Sequence, residues 1–472
     1  MILNADKIKE IIDYVGDNQD KIKFNENMFE ISEGNLIKYV KGTLKNQISP
    51  ESYQVAVERL APINVWNKII KKLSKLYSNN PTRYTDNPAD QEIVDYYVNK
   101  GLNRHMGNLN ENYNSYKWST VEIYEDPTSN EINFRSIPSH QFIAYSDDRV
   151  NPLRPTAIVK FMGQHFDKDN VSRDKFFIYT EDSFVSVLDN GDLVEEDMQE
   201  NEGINPFGVI PFQYVSMSEY MLVPTPDFDT FKMTVLIPVL ITDQNFGSLF
   251  LSLPIIYAVD AGLENLPVSP NMFVNLKSDG VDGKQAQIGV VRAEPDLQSQ
   301  MDHVKNQLAM WLETRDIKAG TIGNLDGDNF SSGISKIISE MDTLENRKTQ
   351  QEVFRRVEHS FWKRLAVIHN TLAKAGRLKF RKLFSDPESL EVNIDFGEEQ
   401  IIESKADKID RLVKELNAGL ISKGRAMRQL NQNMTDEEVE QLLIEIEEEK
   451  PTLEMFDGTT EDDDQDQQEV QS

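Results

Sequence analysis

The sequence predicts an α+β chain divided into several structural units. Three observations carry that expectation. Helical periodicity near the start gives way to a block of short β-branched and aromatic runs, and then returns. A pair of helical segments, the first strongly apolar, brackets a small block of strand-like pieces punctuated by Gly and Pro. One helical pattern persists for about forty residues, against a usual ~11–12. With 472 residues, the chain exceeds one ordinary hydrophobic core, and two to four units are expected.

Taken in order, residues 1–77 read as mostly helical. Ile69, Leu73 and Leu76 recur at a spacing of three to four, beside a basic face of Lys68, Lys71, Lys72 and Lys75. Such a face is ordinarily a solvated surface, and phosphate contact is the rarer use. Residues 79–88, rich in Asn, Thr and Pro, read as a loop. Helical pattern resumes from Asp90 to about Asn114. The period then changes, and strands are expected at 119–124, 131–136, 141–145, 156–162, 175–180 and 183–188. Asn190-Gly191 marks a tight turn. The β-rich block is expected to end at Asn205-Pro206-Phe207-Gly208-Val209-Ile210-Pro211.

Residues 227–252 read as an unusually apolar helix, which something must cover; Pro238 should kink it and Pro254 closes it. Short strand-like pieces follow over 255–291, then a second helix over about 297–314. A Gly-rich loop spans 318–333 and leads into the long helical pattern, 334–375. That pattern has two apolar stripes. Ile334, Ile337, Ile338, Met341 and Leu344 form the first; Val353, Phe354, Val357, Phe361, Leu365, Ile368 and Leu372 form the second. The stretch between them, 345–352, is wholly polar, and Gly376 stops the helix. Residues 390–396 alternate with period two and are expected to rejoin the sheet formed by the earlier strands.

A compact helical set should follow. Ile402, Ile409, Leu412, Val413 and Leu416 share one face, Gly419 ends that helix, and Ser422 caps a short helix reaching Leu430. Thr435 with Glu438 forms a capping-box pattern ahead of Val439, Leu442, Leu443 and Ile446. Residues 461–472 hold carboxylates and almost nothing apolar, a composition that supports no core and predicts a disordered tail.

Composition excludes several classes of function. Lys and Arg total 50 against 79 Asp and Glu, a formal net charge of −29. Nucleic acids and anionic membranes are polyanions, so a conventional binder of either is disfavoured. There is no cysteine, which removes disulfides, Cys-based zinc sites and thiol nucleophiles. Residues 1–20 alternate charged and apolar side chains and lack the apolar core of a signal peptide. The most apolar of the longest uncharged runs, 244–259, contains Asn245, Gly247 and Pro254, whereas a membrane helix needs roughly 20 apolar residues. A buried helix followed by a strand is the expected reading, with no membrane span.

Catalytic patterns are missing. Gly283-Lys284-Gln285 lacks the hydroxyl that a phosphate-binding loop presents to Mg²⁺. No Gly-x-Ser-x-Gly elbow occurs, and the six histidines (His105, His140, His165, His303, His359, His369) have no metalloprotease spacing. Asn324-Leu325-Asp326-Gly327-Asp328-Asn329 has the composition of a calcium loop. Its Gly327 is misplaced, however, and the twelfth position from Asn324 is Ser335 where a Glu is required. No enzyme activity, cofactor or metal is expected. A metal-dependent hydrolase built on Asp326 and Asp328 remains the enzymatic alternative, without a visible third partner.

The order of units, with several local strings, resembles the portal proteins of tailed bacteriophages over roughly residues 25–450. Residues Asn205 to Phe212 are similar to a proline-rich segment that precedes that family's first stem helix. Residues Ile137 to Tyr145 resemble its wing strand after a proline turn, and Pro254 to Val259 its entry into the clip. The helix from Ala406, the string Ala418-Gly419-Leu420-Ile421-Ser422 and the helix after it resemble its C-terminal region. The paucity of charge in the first stem helix, and Pro238 within it, depart from the family pattern.

The resemblance implies a portal-type fold: wing over 1–226, stem helices at 227–252 and 296–315, and a clip between them at 253–295. A tunnel loop at 316–333, a long helix and returning wing strand at 334–400, a crown at 401–450 and an acidic tail at 451–472 complete it. It implies a homo-oligomeric ring, typically a dodecamer, at one capsid vertex of the virion, assembled in the host bacterial cytoplasm. Double-stranded DNA would pass through the ring, driven by the terminase large subunit. The head-tail adaptor, the major capsid protein and the scaffolding protein are the other implied partners. Lys318, Asn324, Asp326, Asp328 and Asn329 would face the channel. Tyr257, Asp260, Glu264, Lys277 and Lys284 would serve docking at the clip. Leu249, Leu251, Leu308 and Trp311 would lie at subunit interfaces, because apolar stem helices need cover from a neighbour. An acidic lumen suits DNA that must slide without sticking. Another ring-forming virion or tail-connector protein is the nearest alternative.

Overall fold

The structure, a computed structural model, describes residues 3–167, 169–198, 203–252, 255–259, 287–291, 297–315, 317, 333–397, 405–419, 421–430 and 441–445. Over 51, 246–247, 249–252, 255–259, 287–291, 297–298, 300, 333–344, 405–408, 411, 425 and 428–429 it describes the backbone alone. Two compact units result, Met1–Glu399 and Gln400–Ser472.

The first unit opens with α1 (Ala5–Asp17), α2 (Gln19–Ser32), α3 (Leu36–Gln47), α4 (Pro50–Glu58) and α5 (Val65–Leu73). Asn4, Ser49 and Asn64 cap three of them by accepting the backbone N–H groups of Lys7, Ser52 and Asn67, each cap being worth about 1 kcal/mol. Ile31, Leu36, Val40, Leu44 and Trp66 bury the apolar faces of α2, α3 and α5 in one cluster. A three-residue strand β1 (Thr82–Tyr84) follows, then α6 (Pro88–Tyr97) and α7 (Asn103–Tyr116). Sequence periodicity predicts one helix across this stretch. Gly101, at φ +97°, breaks it, a backbone angle that a side chain resists and glycine accepts.

The β block consists of β2 (Trp118–Asp126), β3 (Glu131–Ile137), β4 (Phe142–Tyr145), β5 (Ala157–Phe166), β6 (Ser172–Tyr179), β7 (Phe184–Leu188) and β8 (Phe212–Ser216). It forms two antiparallel sheets, ordered β3-β2-β8 and β4-β5-β6-β7. The fold is thus mixed α+β, as the sequence predicts. The β block does not end at Pro211: β8, immediately after it, pairs with β2 from Trp118↔Ser216 to Glu122↔Phe212.

The chain then runs out through α8 (Phe228–Ser252) to β9 (Ile255–Val259). It comes back through β10 (Gln287–Val291) and α9 (Leu297–Glu313), with β9 and β10 antiparallel. Helix α8 continues through Pro238 as one element. The long helix α10 (Gly333–Lys374) spans 42 residues, and Gly376, at φ +74°, follows its end. Phe354, Phe361, Trp362, Leu365 and Ile368 on α10 are completely buried in the largest core cluster, against Tyr97, Met106 and Phe134. Each such side chain contributes about 1.5–3 kcal/mol by leaving water.

The polar interruption of α10 is put to use in the fold. Arg347 donates to the carbonyls of Phe396 and Gly397 at 3.1 and 3.3 Å. Gln350 accepts from Asn110 at 2.8 Å and donates to Asn114 at 3.2 Å. Two turns on, Glu358 receives Arg83 through two bonds of 2.5 and 2.7 Å, and the Tyr77 hydroxyl at 2.7 Å. Both charged side chains are fully buried. Burial and the adjacent carboxylate push the Tyr77 hydroxyl well above its ordinary pKa, so it serves as a donor.

Two sequence expectations are corrected here. The strand near Phe396 is short, β11 (Asn393–Asp395), and it does not rejoin the main sheets. It pairs antiparallel with β1, Arg83 opposite Ile394, inside the stretch expected to be a loop. The apolar helix α8 is also partly covered by its own chain. Val235 and Val239 are buried among the helices α2, α3 and α5, and Ile237 packs with Val65, Ile69 and Leu312.

In the second unit, α11 (Lys405–Asn417) ends before Gly419, at φ +74°. It is followed by α12 (Lys423–Leu430), whose Ala426 N–H donates to the Ser422 carbonyl. Leu412 is buried, while Ile409 and Val413 on the same stripe stay exposed. No described helix is long and apolar enough to cross a membrane.

Candidate functional site

Within the first unit the start of α8 and the end of α9 come together, and a cluster of charges holds them there. Asp227 directly precedes α8, and its Oδ1 accepts the Thr230 backbone N–H at 3.2 Å, capping the helix. Arg315 lies just past the end of α9. Its Nη1 and Nη2 donate to Asp227 Oδ2 and Oδ1 at 2.5 and 2.6 Å, a two-pronged bond across 88 residues of sequence. Lys117, at the end of α7 with φ +72°, places its Nζ 3.4 Å from the same carboxylate. Burial alone would raise the Asp227 pKa. The Arg315 bonds and the Lys117 charge outweigh it, holding the carboxyl below its usual range and ionised. Paired bonds between ions are roughly twice as strong as neutral ones. Removing one partner here should cost about 2–3 kcal/mol.

Beyond this clasp, Thr242 donates to the Pro238 carbonyl at 2.7 Å and accepts the Ala61 N–H at 3.3 Å, tying α8 to the segment after α4. On α9, Leu308 and Trp311 pack partly buried against Leu312, Ile317 and the α5 and α8 side chains of their own chain. Met301 and Met310 on the same helix are exposed, at 36% and 61%. Leu249 and Leu251 fall within the helical span of α8, with side chains outside the described residues. Tyr257 sits in β9 opposite Gly289, its side chain likewise outside them. Asp260, Glu264, Lys277 and Lys284, and the loop residues Lys318, Asn324, Asp326, Asp328 and Asn329, all lie outside the described residues. Of the sequence-predicted site residues, the described part of the fold thus places Leu308 and Trp311 in one cluster.

Two clefts flank α10. One, of about 940 Å³, opens beside the clasp and is lined by Lys117, Arg154, Asp227, Arg315, Arg356 and Arg364, among others. Arg364 donates to the Ile210 carbonyl at 3.0 Å, and burial lowers the pKa of its guanidinium. The other, of about 750 Å³, is bordered by Tyr84, Arg355, Arg356, His359 and Asp395. Among the described residues no group of His, Asp and Glu is arranged to hold a metal ion.

Sequence reasoning missed the clasp. Asp227 stands where an N-cap belongs, and that was the available signal. Nothing in the sequence points from it to Arg315.

A mixed α+β region, two helices bracketing an antiparallel strand pair, and a very long helix after them now stand in order along the chain. The profile of one family, described as phage portal protein, SPP1 Gp6-like, matches residues 14–452. Among curated proteins, none matches this sequence. With a match across nearly its whole length, the chain belongs to the phage portal protein family.

Proposed function

We propose that this chain is the subunit of a closed homo-oligomeric ring at one capsid vertex, a channel through which a terminase packages double-stranded DNA and through which the DNA later exits. Family membership supports a structural role in the virion, with partners in the capsid and the packaging apparatus. The observation that carries the finer reading is the single-rooted excursion. Helices α8 and α9 share the Asp227–Arg315 clasp and bracket the antiparallel pair β9–β10. On this reading they are the stem, residues 253–295 form the clip that docks terminase and head-tail adaptor, and residues 316–333 form the tunnel loop. Met301 and Met310 on α9 stay exposed, on opposite faces of the helix, and each is open to contact with a neighbour. No step of this work requires a catalytic group.

Electron microscopy and mass measurement of the purified chain test the reading. Closed rings with a central opening, twelve copies by resemblance, are the expected result. A monodisperse monomer over a wide range of concentration and salt would overturn it.

A further inference from the structure

Charge is unevenly spread along this acidic chain. Residues 347–382 carry eleven Lys or Arg against two Glu, whereas residues 181–197 carry seven Asp or Glu and no Lys or Arg. Part of each set is used internally. Arg347 binds backbone carbonyls, Arg377 pairs with Glu125 and Lys382 with Glu92. On the acidic side Glu181, Asp189 and Asp197 pair with Arg154, Arg173 and Lys175.

Among what remains are two patches of opposite sign. Arg355 and Arg356, exposed on α10, make no ion pair among the described residues. They border the cleft of about 750 Å³, where Tyr84 is 51% exposed. Glu195 and Glu196 open a short 3₁₀ turn that ends at Met198. They too are exposed and make no ion pair among the described residues. Leu193, beside them, is 47% exposed. Two carboxylates next to an exposed apolar side chain therefore answer two guanidiniums that share a cleft with an exposed aromatic ring.

We propose that in the ring the Glu195–Glu196 turn of one copy seats in the Arg355–Arg356 cleft of the next, with Leu193 against Tyr84. The inference rests on the ring reading above. A ring needs a heterologous interface, in which one patch meets a different patch on the neighbour. Two copies that each carry a large negative charge repel unless local complementarity offsets the net charge. The basic face is a poorer fit to DNA. Its mouth has only two free arginines, and Asp395 stands on the rim with Val392 and Ile394, whereas phosphate backbones call for an extended row of cations.

Charge reversal tests the seam. Arg355→Glu with Arg356→Glu, and separately Glu195→Lys with Glu196→Lys, should each raise the concentration needed for ring formation by about tenfold or more. Unchanged thermal unfolding of each variant shows that folding is intact. An equimolar mixture of the two variants should recover rings, because each then meets a neighbour of opposite sign; a merely structural role for these residues would give no such rescue. Wild-type assembly by both variants overturns the seam while leaving the ring in place. So does normal assembly of the arginine variant with loss of affinity for a double-stranded DNA fragment, which would make the cleft a nucleic-acid contact. Absence of rings in the wild type itself overturns the ring reading, and the seam falls with it.

Discussion

Glu358 shows how far a single residue can hold this fold together. Its carboxylate neutralises Arg83 and accepts from Tyr77 and, at 3.4 Å, from Trp362. Glu358→Gln leaves the guanidinium buried without a counter-charge. Urea unfolding should register a loss of about 3–5 kcal/mol, against about 1 kcal/mol for Tyr77→Phe, which removes one bond and no charge. Asp227 behaves differently because its effect depends on pH. Its folded-state pKa lies below the ordinary value, so its contribution is fully present above the unfolded carboxyl pKa of about 4 and is lost as pH falls through the folded value. Thermal melts from neutral to acid pH should show wild type ahead of Asp227→Asn at neutral pH, with the gap closing below about pH 4. A gap independent of pH would mean that the clasp acts by shape alone.

Among the elements, the tunnel loop by resemblance is the one whose removal tests function most directly. Deleting residues 324–329 should leave rings and procapsids intact while impairing DNA packaging or retention; unimpaired packaging would reduce the segment to a linker. The regular elements were the legible ones. Strands β2 to β7 are rich in β-branched and aromatic residues, and α10 repeats its apolar stripe from Val353 to Leu372. The misses share a cause. β1 and β11 are three residues each and pair across the whole unit, too short for a period and too far apart for a local cue. β8 follows a proline-rich turn that reads as a terminator, and only its partner β2 makes it a strand. The clasp joins residues 88 apart, a tertiary fact with no local trace beyond the cap at Asp227. Composition alone did not show that α8 is partly covered within its own chain, where Val235 and Val239 pack with side chains of α2, α3 and α5.

At the scale of the molecule, two units of unequal size share the chain. The acidic terminus is expected to be dispensable for assembly, since its composition cannot support a core. Truncation after Gly458 should give rings of unchanged size by mass measurement, and their loss would assign the terminus a structural part. The buried Arg83–Glu358 pair, 275 residues apart in sequence, also bears on how the chain is made. Synthesis at ~5–20 residues per second separates the two by roughly a quarter of a minute to a minute. Throughout that interval the nascent N-terminal third carries a guanidinium with no counter-ion and a β1 edge with no β11. The cleft bordered by Tyr84, Arg355 and Asp395 cannot form before residue 395 has been made, so any contact through it must wait until most of the chain has been synthesised.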